Sequence, residues 1–189
     1  MFMTFNFGYT PTEVIIVDIL FYIIILILVY ACVSIDNKQR YRTNKVVGDK
    51  GESIVKNKLD LLDDDYVVEN NVKINGYQID HLVINHVSMD IFVIETKMWG
   101  GIISGDVNDE YWMQNKNGNV KALYNPILQN RKHCNAVRKH YHGYTIHNVI
   151  VFIKNRNVPK SRCIFGVNEL IDYIYKVCNR VCNRHRIDL

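Results

Sequence analysis

The chain has 189 residues, room for one compact domain and a short appendage but not for two ordinary domains. Hydrophobic residues make up 48% of it, an ordinary globular share, and a formal net charge of +4 is too mild a basic bias to identify a polyanionic partner. The five cysteines are odd in number and form no C-x-x-C, so they are expected as buried thiols and not as a disulfide framework.

Residues 14–33, VIIVDILFYIIILILVYACV, carry one charge, Asp18. A helix of this length rises about 30 Å, the thickness of a hydrocarbon core. A buried core helix normally keeps a polar face, and this stretch has none. It is expected to be a single transmembrane helix, preceded by a short tail at 1–13. No Lys or Arg precedes Lys38, so the basic start of a cleaved signal peptide is missing. Lys38, Arg40, Arg42, Lys45 and Lys50 follow the span, and the positive-inside rule then places the C-terminal body in the cytosol. Residues 34–46 read as a basic juxtamembrane linker, and their charge would suit anionic lipid as well as a polyanion.

From Val47 the pattern is globular. Ile54, Val55, Leu59 and Leu62 give a helical stripe over 48–62, and Asp63-Asp64-Asp65 ends it as a solvated turn, a simpler expectation than a metal cluster. Three β-type runs follow, at 66–74, 78–85 and 90–97, with Asn75-Gly76 as a two-residue hairpin turn between the first two. The third, DIFVIETK, is the most apolar and is expected in the centre of a sheet. Residues 102–123 read as short strands with polar turns. Asn125 is placed to cap a helix that opens at Pro126 and runs to about His142. A strand at 147–153 and an amphipathic helix at 167–183 close the chain, within a helical extension at 156–189. The order predicts a mixed α/β domain. Cys178, Cys182 and His185 stand at helical spacing, but a fourth zinc ligand is not evident near them.

Glu95 and Lys97 are two apart on a strand and leave the same face. Charged groups at the end of an apolar strand either reach solvent or are paired. In QIDHLVIN, Asp80, Leu82 and Ile84 share one face, and Ile79, His81 and Val83 the other. If the two strands pair as a hairpin around Val87-Ser88-Met89, Asp80 comes opposite the Glu95–Lys97 end. Two converging carboxylates repel unless a cation neutralises them. Hard oxygen ligands suit Mg²⁺ or Mn²⁺, and a nearby lysine can stabilise charge developing on a phosphoryl group.

These residues belong to a longer ordered set. It comprises Gly48-Asp49-Lys50-Gly51-Glu52 opening a helix, Ile79-Asp80-His81, Ile94-Glu95-Thr96-Lys97 and Trp99-Gly100-Gly101-Ile102. Trp112-Met113-Gln114, Asn125-Pro126-Ile127-Leu128-Gln129 and Val149-Ile150-Val151-Phe152 follow. The set resembles the nuclease-related domain, a branch of the PD-(D/E)XK nuclease superfamily, over about residues 47–155. Ile79-Asp80 stands where the superfamily has Pro-Asp, a change that removes no ligand. The resemblance implies a restriction-endonuclease-like mixed sheet flanked by helices, and Mg²⁺-dependent cleavage of nucleic acid, DNA in the first instance. Carried over position by position, Asp80 and Glu95 become metal ligands and Lys97 the catalytic lysine. Glu52 becomes the helical acid that helps hold metal, although an acid near a helix N-terminus is favourable in any case. Gln129 becomes the polar residue on the later helix that faces the site.

Other residues stand near this set. Gln129, His133 and His140 form a row on the helix, with His133 at its margin. Trp99, Tyr111 and Trp112 would stack on bases or cover a sheet edge. Arg131, Lys132, Arg138 and Lys139 would track phosphates or face water. Three functions fit: a membrane-anchored metal-dependent nuclease, a non-catalytic membrane-tethered nucleic-acid-binding module, and a protein scaffold on the same fold.

Overall fold

A computed structural model of the protein describes residues 11–154 and 157–187. The expected tail as far as Thr10 and the side chains of Cys182 and His185 lie outside the described residues. In chain order the elements are α1 (Pro11–Leu59), β1 (Tyr66–Ile74), β2 (Tyr77–Asn85), β3 (Asp90–Lys97), β4 (Ile102–Ser104), β5 (Tyr111–Lys116) and β6 (Asn119–Tyr124). They continue with α2 (Pro126–His140), β7 (Thr145–Phe152), β8 (Ile164–Gly166) and α3 (Leu170–Ile187). The chain divides after Val46, within α1, into two compact units.

In the first unit the apolar stretch of α1 is exposed from Asp18 to Val33, as at Leu20, Leu26 and Tyr30. It is the one helix among the described residues long and apolar enough to cross a membrane. Residues 34–46 continue the same helix, and no proline interrupts them.

The second unit is a mixed α/β domain. A five-stranded sheet runs in the order β1-β2-β3-β7-β8. β1, β2 and β3 pair antiparallel, and β3, β7 and β8 pair parallel. The central place of β3 follows from its composition: its first six residues are all buried, as an apolar run with neighbours on both edges requires. On one face, Val55 and Leu59 of α1 and Leu170, Ile174 and Cys178 of α3 pack on Val83, Phe92 and Ile94. On the other, Cys134, Ala136 and Val137 of α2 pack on Leu82, Ile84, Ile91 and Val93. A second sheet, β4-β5-β6, leans on this body through Trp112, which packs with Ile127, Ile150 and Phe152.

Local sequence sets the boundaries. Asn75 and Gly76 take positive φ, 49° and 83°, as a two-residue hairpin turn of this kind demands. Asn125 caps α2 by accepting the Ile127 N–H at 2.9 Å, with Pro126 opening the helix. The break after β3 needs glycine at Gly101, where φ is +81° and a Cβ would lie 2.3 Å from the Asn115 carbonyl oxygen. Asp63-Asp64-Asp65 is a turn, with the Asp65 N–H bonded to the Asp63 carboxylate. Cys134 and Cys178 are buried, Cys163 is partly so, and Cys32 is exposed.

The alternation expected along β2 does not hold. Ile79 packs in the α2 cluster with Leu82 and Ile84, not with Val83 on the opposite face. The reset falls opposite Asn71, whose φ of 56° interrupts the pairing between Asn70↔His81 and Val72↔Ile79. A left-handed residue inside a strand turns the ribbon locally, and Asp80 lies at that turn. Two boundaries also shift. The last helix starts at Leu170, because Ile164–Gly166 first add an edge strand to β7. The strand placed at 147–153 begins at Thr145.

Candidate functional site

The ladder between β2 and β3 ends at His81↔Ile94. One residue beyond it, the Asp80 carboxylate accepts the Thr96 N–H at 2.8 Å. That bond caps an exposed end of the sheet and fixes Asp80 beside Glu95. Gly51 brings the third acid close. A Cβ there would lie 3.2 Å from the Met98 Cβ and 3.4 Å from the Thr96 Cγ2, so a larger residue would push Met98 aside by a few tenths of an ångström. Glu52 follows directly and is near enough to feel the charge of Glu95.

Glu95 is 3% exposed. Its Oε1 accepts from Lys97 Nζ at 2.6 Å and from Gln129 Nε2 at 2.8 Å, and Lys97 Nζ also donates to Gln129 Oε1 at 3.1 Å. Lys97 lies beside the Trp99 ring, 5.4 Å from its centroid. Gln129 is held in place by the residue after it. The Asn130 Nδ2, fully buried, lies within hydrogen-bond distance of Val93 O, Asn148 Oδ1 and Val149 O, which fastens the first turns of α2 to β3 and β7. The Glu95 Oε2 meets His133 Nδ1 at 3.3 Å, a polar contact that falls short of hydrogen-bond geometry.

The structure thus brings Asp80, Glu95, Lys97, Gln129 and Glu52 to one end of the sheet. His133, left at the margin by sequence, sits against Glu95 and is buried. Its position four residues after Gln129, one turn along the same helix face, was the available signal. Trp112 is fully buried and offers no stacking surface. Arg131, Arg138 and Lys139 are exposed, and Arg138 pairs with Asn135 on its own helix.

The electrostatics follow from burial. Asp80 is pushed up to about 7, first by burial and then by the Glu95 charge, with the Thr96 N–H and Lys97 opposing. Glu52 is raised by burial, by Asp49 and by Glu95. Burial alone would raise Glu95 too, but the His133 and Lys97 contacts outweigh it and hold its carboxyl below the ordinary value. Glu95 is therefore the ionised member, while burial and the Glu95 charge together push Asp80 towards protonation. His81, buried against α1 and bonded to Asn70 at 2.6 Å, is lowered to about 4 by burial and stays neutral.

These oxygens suit a hard divalent cation in type. Glu95 Oε2 is buried and accepts no hydrogen bond, and Asp80, raised to about 7, would give up its proton more readily beside a cation. Among the described residues, however, no three His, Cys, Asp or Glu side chains stand as a ready-formed metal-binding group. In this arrangement the Lys97 ammonium supplies the positive charge at Glu95.

The family model of the nuclease-related domain matches residues 47–153. An uncharacterized protein of Bacillus anthracis is 33% identical over 118 residues, which cover 59% of this chain and 55% of the relative. The chain thus spans about half the length of the curated relative it matches. No solved structure matches the chain.

The Asp80 shift predicts a pH dependence. The folded protein binds a proton between about pH 4 and 7 that the unfolded chain releases, so metal-free stability falls as pH rises through that window. Asp80→Asn keeps an acceptor for the Thr96 N–H and cannot ionise. In EDTA it should be more stable than wild type at pH 8, by about 1–3 kcal/mol on the scale of 1.4 kcal/mol per unit, and no more stable at pH 4. Urea unfolding at the two pH values reads the difference, and equal gains at both would rule out the charge as its cause.

Proposed function

Because the chain belongs to the nuclease-related domain family, we propose that it is a membrane-anchored, metal-dependent nuclease hydrolysing phosphodiester bonds in DNA. The proposed core is restriction-endonuclease-like. The observation that carries this reading is the charge arrangement at the end of β3. One buried ionised carboxylate, Glu95, stands beside a second, Asp80, that burial and then the Glu95 charge push towards protonation, with an ammonium and an amide aimed at the same Glu95 oxygen.

Asp80, Glu95 and Glu52 would hold the cation, Mg²⁺ or Mn²⁺. When bound, such an ion neutralises charge on a phosphate and acidifies a water near it. The remaining roles fall to the chain's own side chains. Lys97 is restrained by Glu95 and Gln129, so its ammonium is pre-aimed to donate to a phosphate oxygen as charge develops there. Gln129 fixes the Glu95 carboxylate and the lysine together. His133 braces the other carboxylate oxygen from the same helix. Trp99 offers its ring face to the lysine ammonium, a cation–π contact that would help hold it in place.

One observation favours a second reading. The Lys97–Glu95 pair, with 14% and 4% of the two side chains exposed, already balances the carboxylate without a metal. A site stabilised in this way suits a non-catalytic nucleic-acid-binding module or a protein scaffold. Cleavage separates the readings. The full-length protein in detergent, given single- and double-stranded DNA with Mg²⁺ or Mn²⁺, should cut at least one of them. Asp80→Ala, Glu95→Ala and Lys97→Ala should each reduce the rate by about 100-fold or more, with double variants little worse than singles because the groups act as a unit. A folded Glu95→Ala or Lys97→Ala protein that cuts at the wild-type rate would overturn the assignment.

The anchor is the apolar stretch of α1, with the basic residues that follow it on the cytosolic side. A reporter enzyme fused after Leu189 should be active only in the cytosol. Digestion of the C-terminal domain by protease added outside intact cells would refute this orientation.

A further inference from the structure

We propose that the surface running from Tyr77 past Lys132 to Tyr124 and Tyr111 is a stacking track for single-stranded nucleic acid that leads towards Glu95. The inference rests on the reading of the Glu95 site as a nucleic-acid site, and it specifies the form of the strand the site accepts.

The track is continuous. Tyr111 and Tyr124 are cross-strand partners in β5 and β6, so their rings leave the same face, and they meet edge to face with centroids 5.8 Å apart. Lys132 Nζ lies 4.7 Å from the centroid of Tyr124. His133, the next residue, has its ring 5.7 Å from Tyr77 and its Nδ1 3.3 Å from Glu95 Oε2. One helical turn of α2 thus joins the tyrosines to the acidic site, through Lys132 on its outer side and His133 on its inner side.

The chemistry of this surface selects unpaired bases. Tyr77 is 42% exposed and Tyr111 53%, unusual values for aromatic side chains that a core could have absorbed. The same face of the small sheet leaves Met113 and Val120 exposed, at 42% and 60%. Flat aromatic and apolar groups have nothing to offer the phosphates of a duplex, whose base faces are buried in its own stack. They suit the π-faces of splayed bases, each worth about 1–3 kcal/mol. Lys132 supplies the cationic contact for the intervening phosphate.

The test uses the full-length protein in detergent micelles with EDTA, and fluorescence anisotropy of a labelled oligo(dT) strand and of a duplex of equal length. Wild type should bind the single strand at least about 10-fold more tightly than the duplex. Tyr124→Leu and Tyr77→Leu should each weaken single-strand binding about 10-fold, from the energy of one stacked base, and leave duplex binding unchanged. The Phe variants at both positions should bind like wild type, since they keep the ring. Tyr111→Leu, at the most exposed position, serves if either other Leu variant unfolds. Duplex preference in wild type, or Leu variants that bind like wild type, would overturn the track. If such Leu variants still cut DNA, the nuclease reading stands while the track falls. If the tyrosines do hold the single strand but wild type cuts nothing with either metal, the track stands and the nuclease reading falls.

Discussion

Glu95 is an ionised carboxylate buried at the end of the central strand, and the surrounding structure is organised around keeping it charged. An isolated carboxylate in such a place would neutralise itself by taking up a proton. Here Lys97 and Gln129 converge on one oxygen and His133 faces the other. Each comes from an element fixed for its own reasons. Lys97 shares the strand face with Glu95. Gln129 and His133 share a face of α2, and that helix is tied to the sheet by the buried Asn130. One strand away, burial first and the Glu95 charge second raise the Asp80 carboxyl to about 7. A site with one stable negative charge and one suppressed is poised to take up a cation, and Lys97 fills that role in the arrangement described.

Much of this was legible in the sequence because local rules and the global fold agree. DIFVIETK reads as a buried strand with two charges at its end, and it is one. Asn75-Gly76 and Asn125-Pro126 placed a turn and a helix start by backbone chemistry alone. The ordered motifs brought Asp80, Glu95, Lys97, Gln129 and Glu52 to the same end of the sheet before any contact was known.

What sequence did not reveal depends on partners distant in the chain. Strict alternation assigned Ile79 to the wrong face, because the reset near Asp80 is set by Asn71 on the neighbouring strand. Trp112 was open to either stacking on bases or covering a sheet edge, and it fills the space between the small sheet and Phe152, contacts formed across tens of residues. His133 carried only the weak signal of helical spacing from Gln129, since its burial comes from Glu95 and Tyr77 together. The edge strand Ile164–Gly166 is too short to show a period.

The central claim is that Asp80 and Glu95 form a divalent-cation site. Calorimetric titration of Mn²⁺ into the full-length protein at pH 7, in two buffers of different ionisation enthalpy, tests it most directly. The account predicts saturable binding that releases about half a proton per ion, because Asp80 titrates near 7 and must give up its proton to a metal. It also predicts that Asp80→Asn loses the proton release and Glu95→Gln loses the binding. Saturable binding that survives Glu95→Gln undiminished, or no binding by wild type at millimolar ion, would contradict it.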